Sequence, residues 1–117
     1  MKMKKAILIL MLIFVIGCSN SEPTFITGNE TLEIELLGPD SLPLSKIEID
    51  LWQKDAVKGP PNAGYIFTDE NGIAVFKVPE GEYQIGFNYE NFPTNLIYPA
   101  KEPIAVGKGM NKKIIMV

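Results

Sequence analysis

Residues 68–85 read TDENGIAVFKVPEGEYQI and contain two tight turns on either side of one short strand. Asn71 and Gly72 form the pair that most readily adopts positive φ, so the chain can reverse there without a steric clash at Cβ. Pro79 presets φ for the second turn, and Gly81 can take the left-handed conformation that closes it. Between the turns, six residues alternate with the period of a pleated strand. This stretch predicts the middle of an antiparallel β-domain.

The same two-residue alternation recurs elsewhere in short segments separated by Gly, Pro, Asn and Asp. No segment of the chain after the first 17 residues has a convincing helical period. The segments predicted as strands are 31–37, 46–54, 65–68, 82–89, 101–106 and 111–117, with a further short edge strand at 95–98. With the central strand they predict an all-β domain, an antiparallel β-sandwich of about seven strands. Its predicted inward side chains are Leu32, Ile34, Leu36, Ile47, Ile49, Leu51, Phe76, Val78, Tyr83, Ile85 and Phe87.

The first 17 residues have the parts of an export signal. Three lysines precede an apolar run of about 11 residues, which is shorter than the roughly 20 residues that a membrane-spanning helix needs. The run ends in Val15-Ile16-Gly17-Cys18, followed by polar residues. This motif resembles the lipobox of bacterial lipoproteins, whose cysteine carries diacylglycerol and a fatty acid such as palmitate. The resemblance covers about the first 20 residues and implies that Cys18 becomes the mature N-terminus.

A three-part organisation follows from this resemblance. Residues 1–17 are expected to form the lipoprotein signal peptide, 18–30 the lipidated Cys18 with a flexible tether, and 31–117 the β-sandwich domain. Two acyl chains give stable membrane anchoring, whereas one chain gives marginal binding. A buried free cysteine and an uncleaved membrane anchor are the alternatives. Since Cys18 is the only cysteine, no disulfide is expected. No cofactor is expected other than the covalent lipid.

The composition excludes one class of partner and disfavours catalysis. Removal of residues 1–17 leaves eight lysines against 14 acidic residues, so the net charge changes from −3 to about −6. The chain has no arginine and no cluster of lysines, so nucleic-acid binding is excluded. It also has no histidine, the usual proton carrier near neutral pH.

The order of strands and turns resembles a known group of domains. The residues that carry the resemblance run from Leu32 to Phe87, and those from Thr68 to Ile85 are the most specific. They are similar to carboxypeptidase regulatory-like, transthyretin-like domains and to the related collagen-adhesin B-type repeats. The resemblance implies a prealbumin-like sandwich of seven strands. It implies little about a ligand, because such modules serve as spacers, adhesive repeats and accessory domains.

Two further chemistries are weighed and disfavoured. Adhesin repeats of this kind often form a Lys–Asn isopeptide bond assisted by a Glu. Asn111 and Glu82 could supply two of the three residues, but the first strand has no lysine. Asp69-Glu70-Asn71-Gly72 resembles part of a calcium loop, yet it lacks the distal bidentate Glu. A turn explains these four residues equally well.

Paired carboxylates are the remaining candidates for catalysis. Glu33 and Glu35 share one strand face, as do Glu48 and Asp50, and glycosidases use two such carboxylates. Alternating charge is also typical of any solvated strand face, which is the interpretation we favour. We therefore do not expect an enzyme.

Aromatic side chains supply the candidate binding residues. Trp52 is predicted to point away from Ile49 and Leu51, and Tyr65, Phe92 and Tyr98 lie in or beside connections. Exposed together, they could stack on sugar rings or contact a protein. Alternatively, the loop at 59–62 folds over Trp52 and buries it.

These observations predict a lipid-anchored lipoprotein of the bacterial cell envelope whose domain lies outside the cytoplasm. The leading hypothesis is a non-enzymatic binding or assembly module for another envelope protein. The alternative is a carbohydrate-binding module that uses the surface aromatic residues. A small-molecule or metal carrier is a third, weaker hypothesis.

Overall fold

The computed structural model describes residues 25–117, which form seven β-strands. The strands are β1 (Glu30–Leu37), β2 (Glu48–Gln53), β3 (Tyr65–Phe67), β4 (Ile73–Val78), β5 (Gly81–Phe87), β6 (Glu102–Val106) and β7 (Met110–Met116). The predicted all-β sandwich is therefore confirmed. The edge strand predicted at 95–98 is not formed, because this segment lies in turns and irregular structure. In this part of the chain, no helix is long and apolar enough to cross a membrane.

The strands form two sheets. One sheet has three strands in the order β4-β1-β7, and the other has four in the order β3-β2-β5-β6. All pairs are antiparallel except β1 and β7, which run parallel with Leu32 beside Asn111 and Leu36 beside Ile115. The prediction of an antiparallel sandwich thus needs one correction. The two parallel strands stand at opposite ends of the domain sequence, so no turn between them could indicate their direction.

The two turns in residues 68–85 connect different sheets. Strand β4 belongs to the three-stranded sheet, whereas β3 and β5 belong to the four-stranded one. Gly72 has a φ of 75°, and a Cβ at this position would lie 2.6 Å from the carbonyl oxygen of Leu36. The turns are where the sequence predicts them. However, the turn at Asn71-Gly72 does not join two paired strands, because the chain crosses there from one sheet to the other.

The core lies between the sheets and contains the side chains that the alternation predicts. All eleven predicted inward side chains are buried. In β1, Leu32, Ile34 and Leu36 are fully buried, while Glu33 and Glu35 on the other face are partly exposed. Burial of each such aliphatic side chain contributes roughly 1.5–3 kcal/mol. The two-residue period therefore determines which face of β1 packs inward.

Tyr83 connects the second turn to the core. Its ring is 2% exposed, and its hydroxyl group donates a hydrogen bond to the carbonyl oxygen of Pro79 over 2.7 Å. Burial raises the pKa of the Tyr83 hydroxyl, so the group remains a donor at neutral pH. This contact fixes the position at which β5 begins, as a comparable tyrosine does in other β-sandwiches.

Residues 25–30, which the sequence assigns to the tether, are attached to the sandwich. The backbone amide of Ile26 donates a hydrogen bond to the carbonyl oxygen of Asn62. The backbone amide of Gly28 donates one to the carbonyl oxygen of Lys77. The ring of Phe25 packs edge-on against Tyr65 with a centroid distance of 5.7 Å. Strand β1 already begins at Glu30. The ordered domain thus includes at least six residues more than the predicted range 31–117.

Candidate functional site

The four predicted aromatic contacts divide into two buried and two exposed side chains. Trp52 is 5% exposed and Phe92 is 7% exposed, whereas Tyr65 is 50% and Tyr98 is 40% exposed. Phe92 and Tyr98 lie together, with ring centroids 5.4 Å apart. Tyr65 packs against Phe25 instead. Cys18, the predicted lipidation site, lies outside the described residues.

Trp52 points away from the core as predicted, but it is covered. Its indole Nε1 donates to the carbonyl oxygen of Gly59 over 3.1 Å, so the loop at 59–62 folds over the ring. The ammonium group of Lys101 lies 4.2 Å from the ring centroid on the outer side. A Cβ at Gly86 would lie 2.7 Å from the indole, which shows how closely β5 approaches it. The candidate role of Trp52 as a surface contact is therefore corrected: the structure shows the alternative, in which the loop at 59–62 buries the ring.

Phe92 also needs correction, because it is largely buried and anchors a connection. Its ring packs edge-on against Phe87 of β5, with a centroid distance of 5.5 Å. The hydroxyl group of Tyr98 donates to the carbonyl oxygen of Phe87. The connection between β5 and β6, residues 88–101, is thereby folded back onto the end of β5. Pro93 and Pro99 prevent it from continuing as a central strand.

Glu48 and Asp50 lie under this connection instead of on a solvated face. They are 8% and 5% exposed, so the interpretation of their side of β2 as solvated is wrong. Glu48 Oε1 accepts hydrogen bonds from the side-chain amides of Asn91, over 2.8 Å, and Asn88, over 3.3 Å. Both asparagines belong to the start of the connection. A strand that alternates apolar and acidic residues thus has both faces covered.

The two carboxyl groups have opposite pKa shifts. Burial, together with the hydrogen bond and the charge of Glu48, raises the pKa of Asp50 to about 8, and Lys101 opposes this shift. Burial on its own would raise the pKa of Glu48 as well. Hydrogen bonds from Asp50, Asn91 and Asn88 outweigh this effect, so the pKa of Glu48 is lowered. Asp50 Oδ1 is buried and receives no hydrogen bond, which disfavours its ionised form. At neutral pH the pair therefore holds one proton, on Asp50.

This pair has the chemistry of a structural support. A buried charge is retained when hydrogen bonds compensate for its lost hydration, and Glu48 receives them from three side chains. With both carboxyl groups below one-tenth exposure, a substrate has no approach to them. Glu48 therefore holds the connection 88–101 against the four-stranded sheet.

That connection forms an open cleft of about 610 Å³, which we call the aromatic cleft. Its lining includes Tyr89, Glu90, Phe92, Pro93, Leu96 and Tyr98. Tyr89 is 76% exposed, although the sequence places it within a strand. Strand β5 ends at Phe87, because the side-chain oxygen of Asn88 accepts the amide of Glu90 and turns the chain. The asparagine-rich run after β5 is the signal that could have indicated an exposed tyrosine here.

The other motifs have local structural roles. Asp69 Oδ1 accepts the amides of Asn71 and Ile73, as a turn residue does. The side-chain amide of Asn111 donates to the carbonyl oxygens of Thr31 and Gly107. Glu82 forms an exposed ion pair with Lys54, which directly follows β2. Across residues 25–117, no group of three or more His, Cys, Asp or Glu is placed to hold a metal ion.

No protein-family model and no curated protein matches this sequence. Solved structures do share its fold. The TIE protein of Bacillus anthracis matches with a TM-score of 0.61 and 16% identity over 76% of this chain. The minor pilin GBS52 of Streptococcus agalactiae matches with a TM-score of 0.61 and 17% identity over 78% of it. BcpA, the major pilin subunit of Bacillus cereus, matches with a TM-score of 0.59 and 15% identity over 74% of this chain.

This chain spans 16%, 44% and 28% of the lengths of those three proteins. At these identities the likeness establishes the fold. This chain thus shares a β-sandwich fold with part of each of these longer polypeptides.

Proposed function

We propose that this chain is a lipid-anchored, non-enzymatic module of the bacterial cell envelope that associates with another envelope protein. The proposal is supported by the lipobox-like motif ending at Cys18 and by a fold that recurs in a minor and a major pilin. The lack of histidine and the structural use of the Glu48–Asp50 pair support a non-enzymatic role.

The observation that carries the assembly role is an apolar row on strand β7. Met110, Ile114 and Met116 point outward from one strand and are 60%, 59% and 57% exposed. We call these three side chains the β7 row. Strand β7 is at the edge of its sheet, and among residues 25–117 only β1 pairs with it. Exposed apolar side chains on an open strand edge are typical of a site at which another protein adds a strand.

The neighbourhood of the β7 row fits a protein partner. Its apolar surface continues on β1, where Leu37 lies beside Met116 in the sheet register. Lys112, on the same side of β7, lies 3.8 Å from Glu33 in an exposed ion pair. This ion pair lies between Met110 and Ile114, so the surface combines apolar and charged side chains, and protein interfaces contain both kinds. A partner strand would gain backbone hydrogen bonds from the edge and apolar contacts from the row.

The lipid anchor is tested by metabolic labelling with a palmitate analogue and by fractionation of cells. We expect the full chain to incorporate the label and to sediment with membranes. Cys18→Ser should incorporate no label and should accumulate as unprocessed precursor. Label incorporation that is unaffected by this substitution would contradict the anchor, while leaving the fold unchanged.

The β7 row is tested by capture of the lipidated protein from solubilised envelopes. Ile114→Glu should lose the protein that the wild type retains, because a buried unpaired carboxylate strongly disfavours an interface. Leu42→Glu is the matched control, since Leu42 is 60% exposed in the turn between β1 and β2. If both variants retain the same partner, the row is not the interface.

A further inference from the structure

The aromatic cleft lies outside the proposed interface on β7 and has no role in the assembly described above. Its aromatic lining belongs to the connection 88–101, on the four-stranded sheet, whereas the β7 row belongs to the other sheet. A largely exposed tyrosine, Tyr89, forms one wall. Exposed tyrosine rings beside a cleft commonly contact ligands, because they supply a large rigid surface with few rotatable bonds.

The orientation of the rings indicates the shape of the ligand. The rings of Tyr89 and Tyr98 have centroids 5.2 Å apart and are inclined by 77°. Phe92 and Tyr98 are inclined by 86° at 5.4 Å. In each pair the edge of one ring packs against the other ring, so these rings do not form the flat aromatic surface on which a sugar ring would stack. The glycan hypothesis further relied on Trp52 and Phe92, which are buried. The cleft therefore favours a compact group that contacts the exposed surfaces of Tyr89 and Tyr98.

The electrostatics of the cleft indicate the charge of that group. The face of an aromatic ring carries negative potential and attracts cations within about 6 Å of the ring centroid. Glu90 adds a carboxylate, and none of the lining side chains is basic. The described residues contain eight lysines and thirteen acidic residues, so the domain as a whole also attracts cations. Lys101 over Trp52 shows that the same sheet already uses a cation–aromatic contact.

The cleft is held in place before any ligand arrives. The side chains of Asn88 and Asn91 bind the buried carboxylate of Glu48. Tyr98 is fixed by its hydrogen bond to the carbonyl oxygen of Phe87. A site whose walls are already ordered loses less conformational entropy on binding. The buried Glu48 thus supports the geometry of the cleft from below.

We propose that the aromatic cleft binds a small organic ammonium compound. The alkylated ammonium head would contact the faces of Tyr89 and Tyr98, and the carboxylate of Glu90 would balance its charge. Quaternary ammonium ligands are typically recognised by clusters of aromatic side chains.

The test is a calorimetric titration of the full lipidated protein in maltoside micelles, which carry no ammonium group. The probe is choline chloride at fixed ionic strength, and 3,3-dimethylbutan-1-ol is its uncharged analogue of the same shape. We expect saturable binding of choline and none of the alcohol. Equal binding of both would overturn the proposal, because shape rather than charge would then account for it.

Variants locate the site. Tyr89→Ala should weaken choline binding by about tenfold, which corresponds to about 1.4 kcal/mol, whereas Tyr89→Phe should retain it. Glu90→Gln should weaken binding by a factor of several. Tyr65→Ala is the matched control, since Tyr65 is exposed on β3 away from the cleft lining. Unchanged affinity in Tyr89→Ala would contradict the proposal. Binding of oligosaccharides at the cleft without a response to choline would replace it with the glycan hypothesis.

Discussion

Asp50 couples the stability of the domain to pH. Its carboxyl group titrates at about 8 in the folded protein, compared with an ordinary value of 3.8. Between these two values the folded state keeps a proton that the unfolded state has released. Stability therefore falls as pH rises through this range, by at most about 1.4 kcal/mol per pH unit. Glu48 acts in the opposite sense at lower pH, because its lowered pKa gives stability that is lost as pH falls below 4.5.

The variant Asp50→Asn should remove this dependence. An amide stays neutral at every pH and can still donate a hydrogen bond to Glu48. We expect urea unfolding of the wild type to show lower stability at pH 8 than at pH 5, and the variant to show nearly equal stability at both. No histidine titrates between pH 5 and pH 8, because the chain contains no histidine. Asp55→Asn, in an exposed turn, should keep the wild-type slope. A slope that persists in Asp50→Asn would contradict the assignment.

The hydroxyl group of Tyr83 is a second single group that contributes to the stability of the folded domain. Tyr83→Phe keeps the buried ring but leaves the carbonyl oxygen of Pro79 without its donor. We expect a loss of about 1 kcal/mol and a decrease in Tm of roughly 4–8 °C, measured by thermal unfolding. Tyr65→Phe is the control, and its Tm should be unchanged because that ring is half exposed. A Tm in Tyr83→Phe equal to that of the wild type would show that the hydrogen bond adds nothing.

Residue patterns predict the inward side chains but not what covers the outward ones. Alternation along β2 correctly places Ile49 and Leu51 in the core. The same alternation places Glu48, Asp50 and Trp52 on the outer face of β2. In antiparallel sheets this face is commonly exposed to solvent. The burial of Glu48 and Asp50 depends on the connection 88–101, which lies far along the sequence, whereas Trp52 is covered by the nearby loop at 59–62. Local periodicity contains no information about such a cover.

At the scale of elements, the packing of Trp52 on β2 against β5 depends on Gly86. A Cβ there would lie 2.7 Å from the indole of Trp52 and 3.2 Å from Cγ of Lys101. Gly86→Ala should therefore displace the indole and lower the free energy of unfolding by about 1–3 kcal/mol. The indole is a rigid group, so it cannot move aside cheaply.

A double-mutant cycle separates this clash from a general effect on β5. In the background of Trp52→Leu, the same Gly86→Ala change should cost much less, because the smaller side chain leaves room. Chemical unfolding of the four proteins provides the comparison. An equal cost in both backgrounds would indicate that backbone conformation, rather than contact with Trp52, requires glycine at position 86.

The turns show how far local chemistry determines the arrangement of elements. Asn71-Gly72 and Pro79-Glu80-Gly81 mark chain reversals at the right places. They do not indicate that β4 joins a different sheet from β3 and β5. Sheet membership is decided by the packing of both apolar faces into one core, and the parallel pairing of β1 with β7 is decided in the same way. These are properties of the whole domain rather than of its turns.

At the scale of the whole molecule, the proposed lipid anchor would hold a stable sandwich with an open strand edge at the membrane. An N-terminal anchor at Cys18 would leave the β7 row, near the C-terminal end of the domain, available to neighbours in the envelope. The sequence alone predicts the anchor motif and the sandwich. It does not predict the row, because Met110, Ile114 and Met116 are apolar residues that could equally face a core.

The most direct test of this account is photo-crosslinking from position 114 in the lipidated protein within its own membrane. A photoreactive amino acid replaces Ile114 in one protein and Leu42 in a second, and mass spectrometry identifies the products. We predict one dominant crosslinked envelope protein from position 114, with the crosslinks in a single extended segment of that partner, and no such product from position 42. Crosslinks to lipid alone, or the same products from both positions, would contradict the central claim that strand β7 is an assembly surface.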